Sequence, residues 1–526
     1  MFIDENNRPD RSEGIFTITS SVIGSEIEYG DGWPNAKNFD FDFKLDASRI
    51  ELESTQGEIA GSQFKFFKGV IANFTEDIPI LKIDAFTDSS MENTLRLINN
   101  SPIKDEMKGT SAAMKGSGKG ELKLSLHIPL TDVDKLTYDG VYSFIGSSLE
   151  NEALDMPLID NIHGDLFFNL DKVSITKAKA TIFNQPLIIS MTNENQETIL
   201  DVEGVIDDQL IQTFLGKKWN ERVHGQTSWQ AELSIKENES IFTLNTDLRG
   251  LSINRLGDFN KKSEDKIPFK LTKKSPKSGI DYLDISYGNI IQSKLRRNPE
   301  NIIDHGYIGI FTKPQMPEQG VTIYADLNVI NSEDYEFIFE DDENEPEKKS
   351  SNKDNKKIFD PLIDDAIINV KSLSFEGNRL SDASFNYSPT PEGFDLDIAS
   401  NEVKGKLSWF EMKNLFQANL SQVHLKKDEA ENMKTDEVAK QETKPEKKQL
   451  EKPENLSQLE VTIQSFKIND TDYGKLTLLG HEDFDGFAFD QFSLEKESNT
   501  ISGSGYWISE VEPQKTSFNF KWGIKD

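Results

Sequence analysis

Gly118–Leu130, GKGELKLSLHIPL, decides the fold. Leu122, Leu124, Leu126, Ile128 and Leu130 alternate with Lys123, Ser125, His127 and Pro129, so the apolar period is two. That period puts every large apolar group on one face of an extended strand and the polar groups on the other. The same rhythm recurs outward from this stretch. Phe39, Phe41, Phe43 and Leu45 alternate with Asp40, Asp42 and Lys44, and Ile162, Gly164, Leu166, Phe168 and Leu170 form another row. Trp229–Ile235 and Phe242–Leu248 predict two strands joined through the polar turn Lys236–Ser240. Leu459–Ile463, Leu476–Leu478 and Phe487–Phe489 continue the pattern toward the end.

Helical periodicity is scarce. Met91–Asn99 follows Ser90, a natural cap, and Asp207–Leu215 has acids in its first turn and Gly216 just beyond. Both predict short connectors, and no alternation of strand and helix suggests a doubly wound sheet. Scarce helices also leave no helical layer to shield the sheet. The expected fold is therefore mainly β: an elongated, twisted antiparallel array with a few short helices.

Two stretches have almost no apolar residues, Asp341–Lys357 and Lys426–Asn455. Neither can bury enough surface to offset ordering entropy, so both are expected to be solvated insertions. Deleting either should then leave the melting temperature nearly unchanged. They divide the chain into a long set of β modules over 1–340, the charged insertion 341–357, a module over 358–425, the low-complexity insertion 426–455 and a last module over 456–526. A weak repeat links the last two modules. Val370–Phe375 (VKSLSF) matches Ile463–Ile468 (IQSFKI), and Gly405–Trp409 (GKLSW) matches Gly503–Trp507 (GSGYW).

Composition excludes several functions. The chain of 526 residues carries 59 Lys and Arg against 91 Asp and Glu, a formal charge of −32. Such acidity opposes nucleic acid and anionic lipid surfaces. With no cysteine there are no disulfides, thiol nucleophiles or thiolate metal sites. The six histidines are scattered, with no His-x-x-x-His pair to present two imidazoles on one helical face. Gly116–Gly120 (GSGKG) lacks phosphate-loop spacing and leads into a strand, and Asn469–Gly474 (NDTDYG) misses the calcium-loop register. No Gly-x-Ser-x-Gly elbow occurs. The expectation is no enzyme, no catalytic residue, no metal and no cofactor.

What remains is the apolar face. A one-sided array must pack on another sheet, close into a barrel, or leave a groove for an apolar ligand. By pattern alone the first two are the commoner solutions.

Asn100–Ile103 (NSPI), Gly118–Leu130, Ile162–Ile188 (IHGDLFFNLDKVSITKAKATIFNQPLI) and Ile501–Trp507 (ISGSGYW), in this order and approximate spacing, resemble the AsmA-like proteins of Gram-negative envelopes, in particular the YhdP type. The resemblance covers essentially the whole chain. It implies a taco-like β-sheet whose apolar groove carries phospholipid acyl chains through the periplasm, between inner and outer membranes, in support of outer-membrane integrity. The family's N-terminal membrane helix and its Leu/Arg-rich end have no counterpart here. An interior or C-terminal-half fragment is therefore expected, meeting the membranes through regions outside it. Phe39, Phe41, Phe43, Leu122, Leu124, Leu126, Ile128, Leu166 and Phe168 are the candidate groove residues. Leu124→Asp or Leu126→Asp should obstruct acyl chains, whereas Ser125→Asp, on the other face, should be mild. The competing expectation is a structural or adhesive envelope protein whose apolar faces pack dry.

Overall fold

The computed structural model describes residues 16–28, 32–101, 103–106, 110–151, 156–194, 197–216, 219, 221–335, 363–375, 377–426, 457–483, 486–508 and 515–524. The chain divides into two compact units. The first is Met1–Ile206 with Thr227–Thr246, and the second is Asp207–Gln226 with Asp247–Asp526. The Asp341–Lys357 stretch and nearly all of Lys426–Asn455 lie outside the described residues.

Unit 1 is a meander. It begins β1 (Thr17–Ile27), β2 (Ala36–Asp46), β3 (Arg49–Ile59), β4 (Ser62–Ile71) and β5 (Ile80–Asp88). Helices α1 (Met91–Asn99) and α2 (Ile103–Glu106) follow. Then come β6 (Met114–Pro129), β7 (Thr137–Asn151), β8 (Met156–Asn169), β9 (Val173–Ile182), β10 (Gln185–Glu194) and β11 (Glu197–Asp207). Each strand from β1 to β10 pairs antiparallel with the next. The predicted hairpin is present as β12 (Val223–Ile235) and β13 (Glu239–Thr246), with Ile235 opposite Ser240. Leu130, Leu170 and Leu248 lie just past the strand ends that their periodicity suggested. Turn geometry takes over there, and Leu248 has φ 51°.

Unit 2 opens with α3 (Asp208–Leu215), capped by the Asp207 carboxylate, which accepts from the Leu210 amide at 2.9 Å. The strands are β14 (Leu251–Ile253), β15 (Phe269–Pro276), β16 (Asp281–Tyr287), β17 (Ile291–Arg297), β18 (Ile303–Ile310) and β19 (Gly320–Asn331). Next are β20 (Ile363–Phe375), β21 (Asn378–Thr390), β22 (Gly393–Ala399), β23 (Val403–Phe410) and β24 (Leu415–Leu425). The last five are β25 (Gln458–Ile468), β26 (Thr471–Asp483), β27 (Gly486–Lys496), β28 (Asn499–Ile508) and β29 (Lys515–Ile524).

The antiparallel expectation fails at three junctions, and the sheet is mixed. β18–β19, β19–β20 and β24–β25 are parallel. The reason is directional. β20–β24 is an antiparallel run of five strands, so it finishes at the end of the sheet opposite to its start. A parallel join returns the chain to the starting end, and the next run of five, β25–β29, then points the same way as the first. Parallel neighbours need a crossover connection, because a tight turn cannot reverse the chain along a whole strand. The two polar stretches fall within the crossovers after β19 and β24. The end points are fixed: the amides of Ser457 and Gln458 both donate to Asn414 O at 3.0 Å, and Asn469 N donates to Leu425 O at 2.7 Å.

Candidate apolar face

Residues opposite one another in a ladder share a face, so register traces the lining strand by strand. In unit 1 one row runs Phe43–Leu52–Gly69–Ile83–Leu126–Tyr138. A second runs Leu122–Tyr142–Leu166–Ile175–Met191–Leu200. Between them Phe67, Ala85, Leu124, Gly140, Phe168 and Val173 form a third. Ile128 continues a fourth row through Leu81, Ile71 and Ile50 to Leu45. None of these positions carries a charge.

All nine candidate residues lie on this face, but not in equal surroundings. Phe41, Phe43, Leu124, Leu126 and Ile128 are half-buried. Leu122, Leu166 and Phe168 pack against a fully buried cluster that includes Tyr142, Phe144, Ile159, Ala178 and Ile189. Phe39 is 3 % exposed, with its ring 5.1 Å from Phe67 and 5.6 Å from Phe64, which leaves little of it to meet a ligand.

A helix covers one end of the face, contrary to the expectation of no helical shielding. Helix α1 buries Met91 and Leu95 in the same cluster. The Ser90 side chain accepts from Asn93 N, and Asn93 Nδ2 donates to Gly61 O at 2.8 Å. Hydroxyls tie the helix down further: Ser62 to Ser89 at 2.8 Å, Ser89 to Thr94 at 2.7 Å, and Tyr142 donating to Ser89 O at 3.1 Å. Burial pushes the Tyr142 hydroxyl pKa up. The helix stands where β6 is at Gly116, since a Cβ there would meet Met91 Cγ at 2.6 Å. Leu122–Ile128, farther along β6, stays half-buried. Unit 1 thus combines a dry core beneath α1 with an open apolar strip beside it.

Unit 2 repeats the arrangement on a longer run of strands. One row reads Ile310–Ala325–Ile368–Phe385–Ile398 and goes on through Gly405, Leu420, Ile463, Leu476, Leu494 and Ile501 to Trp522. A neighbouring row passes through Ile323, Tyr387, Leu407, Val461, Leu478 and Phe492 to Phe520. Phe259 packs over Ala325, Leu327 and Val370, so part of this face too is covered.

Glycines keep the floor level. Gly140 is opposite Phe168, and a Cβ on it would lie 2.0 Å from the Phe168 ring; Gly505 relates to Phe518 in the same way at 2.2 Å. Each ring lies across the bare backbone of its partner, an arrangement that only a residue without a side chain permits.

The opposite face is polar. Its shallow recesses are bordered by Lys123, Ser125, Asp139 and Phe167, with Lys123 Nζ 5.6 Å from the Phe86 ring centroid. Ser125 donates to Asp84, so its surroundings are acidic. Among the described residues no group of three His, Asp or Glu side chains is placed to hold a metal ion. No described helix is long and apolar enough to cross a membrane.

Sequence periodicity missed one feature of the face. Asp281 is in phase with Leu283, Ile285 and Tyr287, and Lys273 and Arg297 join it from the flanking strands. A charge in phase with an apolar row was the available signal.

A search of curated proteins finds no match. A family model described as the YhdP protein matches residues 5–526. Strand rows, short helices and the end-to-end match agree, and the chain belongs to the YhdP family, an AsmA-like family.

Proposed function

We propose that the apolar faces hold phospholipid acyl chains and that the chain is a non-catalytic segment of a periplasmic conduit moving lipid between inner and outer membranes. The observation that carries this reading is the run of charge-free rows crossing strand after strand while remaining half-buried. Such a lining contributes roughly 0.8 kcal/mol for each methylene it removes from water, with no reacting group required. Uniformity matters as much as apolarity, because a deep local well would trap the cargo. Acids on the polar face keep so large a sheet soluble and self-repelling. The envelope character of the family supports the periplasmic location.

A second reading, a structural or adhesive protein with a dry core, is favoured by the buried cluster beneath α1. Native mass spectrometry of the purified chain separates the two. Co-purified phospholipid is expected. Clean apoprotein that takes up no lipid from vesicles would refute the conduit.

A further inference from the structure

We propose that Lys273, Asp281 and Arg297 form a headgroup site for a zwitterionic phospholipid bearing a phosphate and a primary amine. This rests on the acyl-chain reading above and adds the class of lipid to it.

These three side chains place charge in phase with the apolar residues of three adjacent strands. They gather at one end of three adjacent strands: Lys273 near the end of β15, Asp281 at the start of β16 and Arg297 at the end of β17. Arg297 Nε donates to Asp281 Oδ2 at 2.9 Å, its Nη2 reaches the same oxygen, and Lys273 Nζ is 3.6 Å from it. The side chains are 17 %, 13 % and 23 % exposed in the order Arg297, Asp281, Lys273. Burial alone would raise the Asp281 carboxyl pKa, but bonds from Ser275 and Arg297 and the nearby Lys273 charge hold it below the usual carboxylate range.

The apolar floor starts in the adjoining row. Lys273 is opposite Leu283, which is opposite Leu295, and the buried Ile303 of β18 and Val321 of β19 cluster with Leu295. An ion cluster set on such a face is a weak source of stability, because desolvation offsets its Coulomb attraction and well-packed apolar residues do as well or better. Its charges do match an amphiphile. A guanidinium and an ammonium suit a phosphate, the carboxylate suits an alkylammonium, and Leu283 and Leu295 suit the first methylenes. A headgroup that replaces the amine with a glycerol hydroxyl would meet Asp281 without a positive charge.

The full chain would be incubated with vesicles of equal phosphatidylethanolamine and phosphatidylglycerol, repurified, and its bound lipid quantified by mass spectrometry. The parent is expected to enrich the ethanolamine lipid roughly tenfold, the scale of one charge-assisted contact. Asp281→Asn should bring the ratio near unity. The pair Asp281→Leu with Arg297→Met, which leaves neither an orphan carboxylate nor an orphan guanidinium, should fold and also lose selectivity. Inorganic phosphate should not erase the parent's preference; erasure by it would overturn a lipid headgroup in favour of a soluble anion. A parent ratio near unity, or one that neither variant moves, refutes the headgroup site while leaving acyl binding intact. A parent without lipid refutes the acyl reading itself.

Discussion

Removing the second polar stretch outright should break the sheet at β24–β25, although shortening it should not. The geometry sets the threshold. Leu425, where β24 ends, is opposite Ile468, but β25 starts at Gln458, opposite Leu415. The connection must therefore run back from Ile468 to Gln458, about 33 Å at about 3.3 Å per residue. Deleting Lys426–Asn455 leaves Leu456 and Ser457 to make the journey, a reach of about 11 Å. The parallel pairing cannot then form, and the Phe416–Leu459, Ala418–Val461 and Leu420–Ile463 contacts go with it. Removing half of the stretch leaves ample reach and changes loop-closure free energy by only about 0.6 kcal/mol. Because the chain has no cysteine, Ala418→Cys with Val461→Cys gives a clean proximity probe. A short bifunctional thiol reagent should link the pair in the parent and in the half-length variant, but not after full deletion. Efficient linking in the full deletion, with an unchanged melting temperature, would refute the crossover argument. The same reasoning runs against the sequence-based expectation for Lys426–Asn455, but not for Asp341–Lys357, whose deletion leaves 332–340 and 358–362 to make the return.

The remaining predictions concern single side chains. Gly140→Ala drives a methyl into the Phe168 ring and should cost about 1–3 kcal/mol in chemical denaturation, with part of the loss recovered by adding Phe168→Leu. Leu124→Asp should lower bound lipid and cost about 1–3 kcal/mol, whereas His127→Asp, on the polar face opposite Lys82, should alter neither; equal lipid loss in both would contradict the face assignment. Ser125→Asp is not the mild control that alternation suggested, since it places a second carboxylate beside Asp84. Burial, and then the Lys467 charge, lower the His424 pKa, so the folded state resists its protonation. The unfolded chain takes up the extra proton as pH falls through about 6.5, stability declines from there, and His424→Gln should flatten that part of the melting-temperature profile.

How much of this was legible depends on what alternation encodes. A period of two names the apolar face of a strand whatever its neighbours do, so the apolar sides of β2, β6 and β8 were legible strand by strand. Helix α1 was legible to the residue because Ser90 caps it. Strand direction was not, since a half-buried strand alternates alike in parallel and antiparallel pairs. The missing clue was the position of the polar stretches, each between two strands whose pairing demands a return path. Bulges were hidden as well: Asn38 takes φ 50° and shifts the register between Lys37 and Asp40. The cover of α1 over Gly116 depends on contacts between distant segments that no local pattern records.

The repeat and the parallel joins explain each other. Trp409 pairs with Phe394 on the preceding strand, and Trp507 pairs with Phe487 in the same place one module later. Gly405 and Gly503 occupy equivalent positions on the two strands that carry those tryptophans. Such equivalence holds only if both runs of five strands point the same way, which an antiparallel join after an odd run would forbid. It also requires phase to be kept, because a slip of one residue would carry a whole strand's apolar set to the polar face. The bulge between Phe489 and Phe492 obeys that constraint: the register shifts, yet Phe489 remains with Gly480 and Phe492 with Leu478 on the apolar side. Long polar crossovers are thus what permits a module to be repeated without inverting or flipping its face.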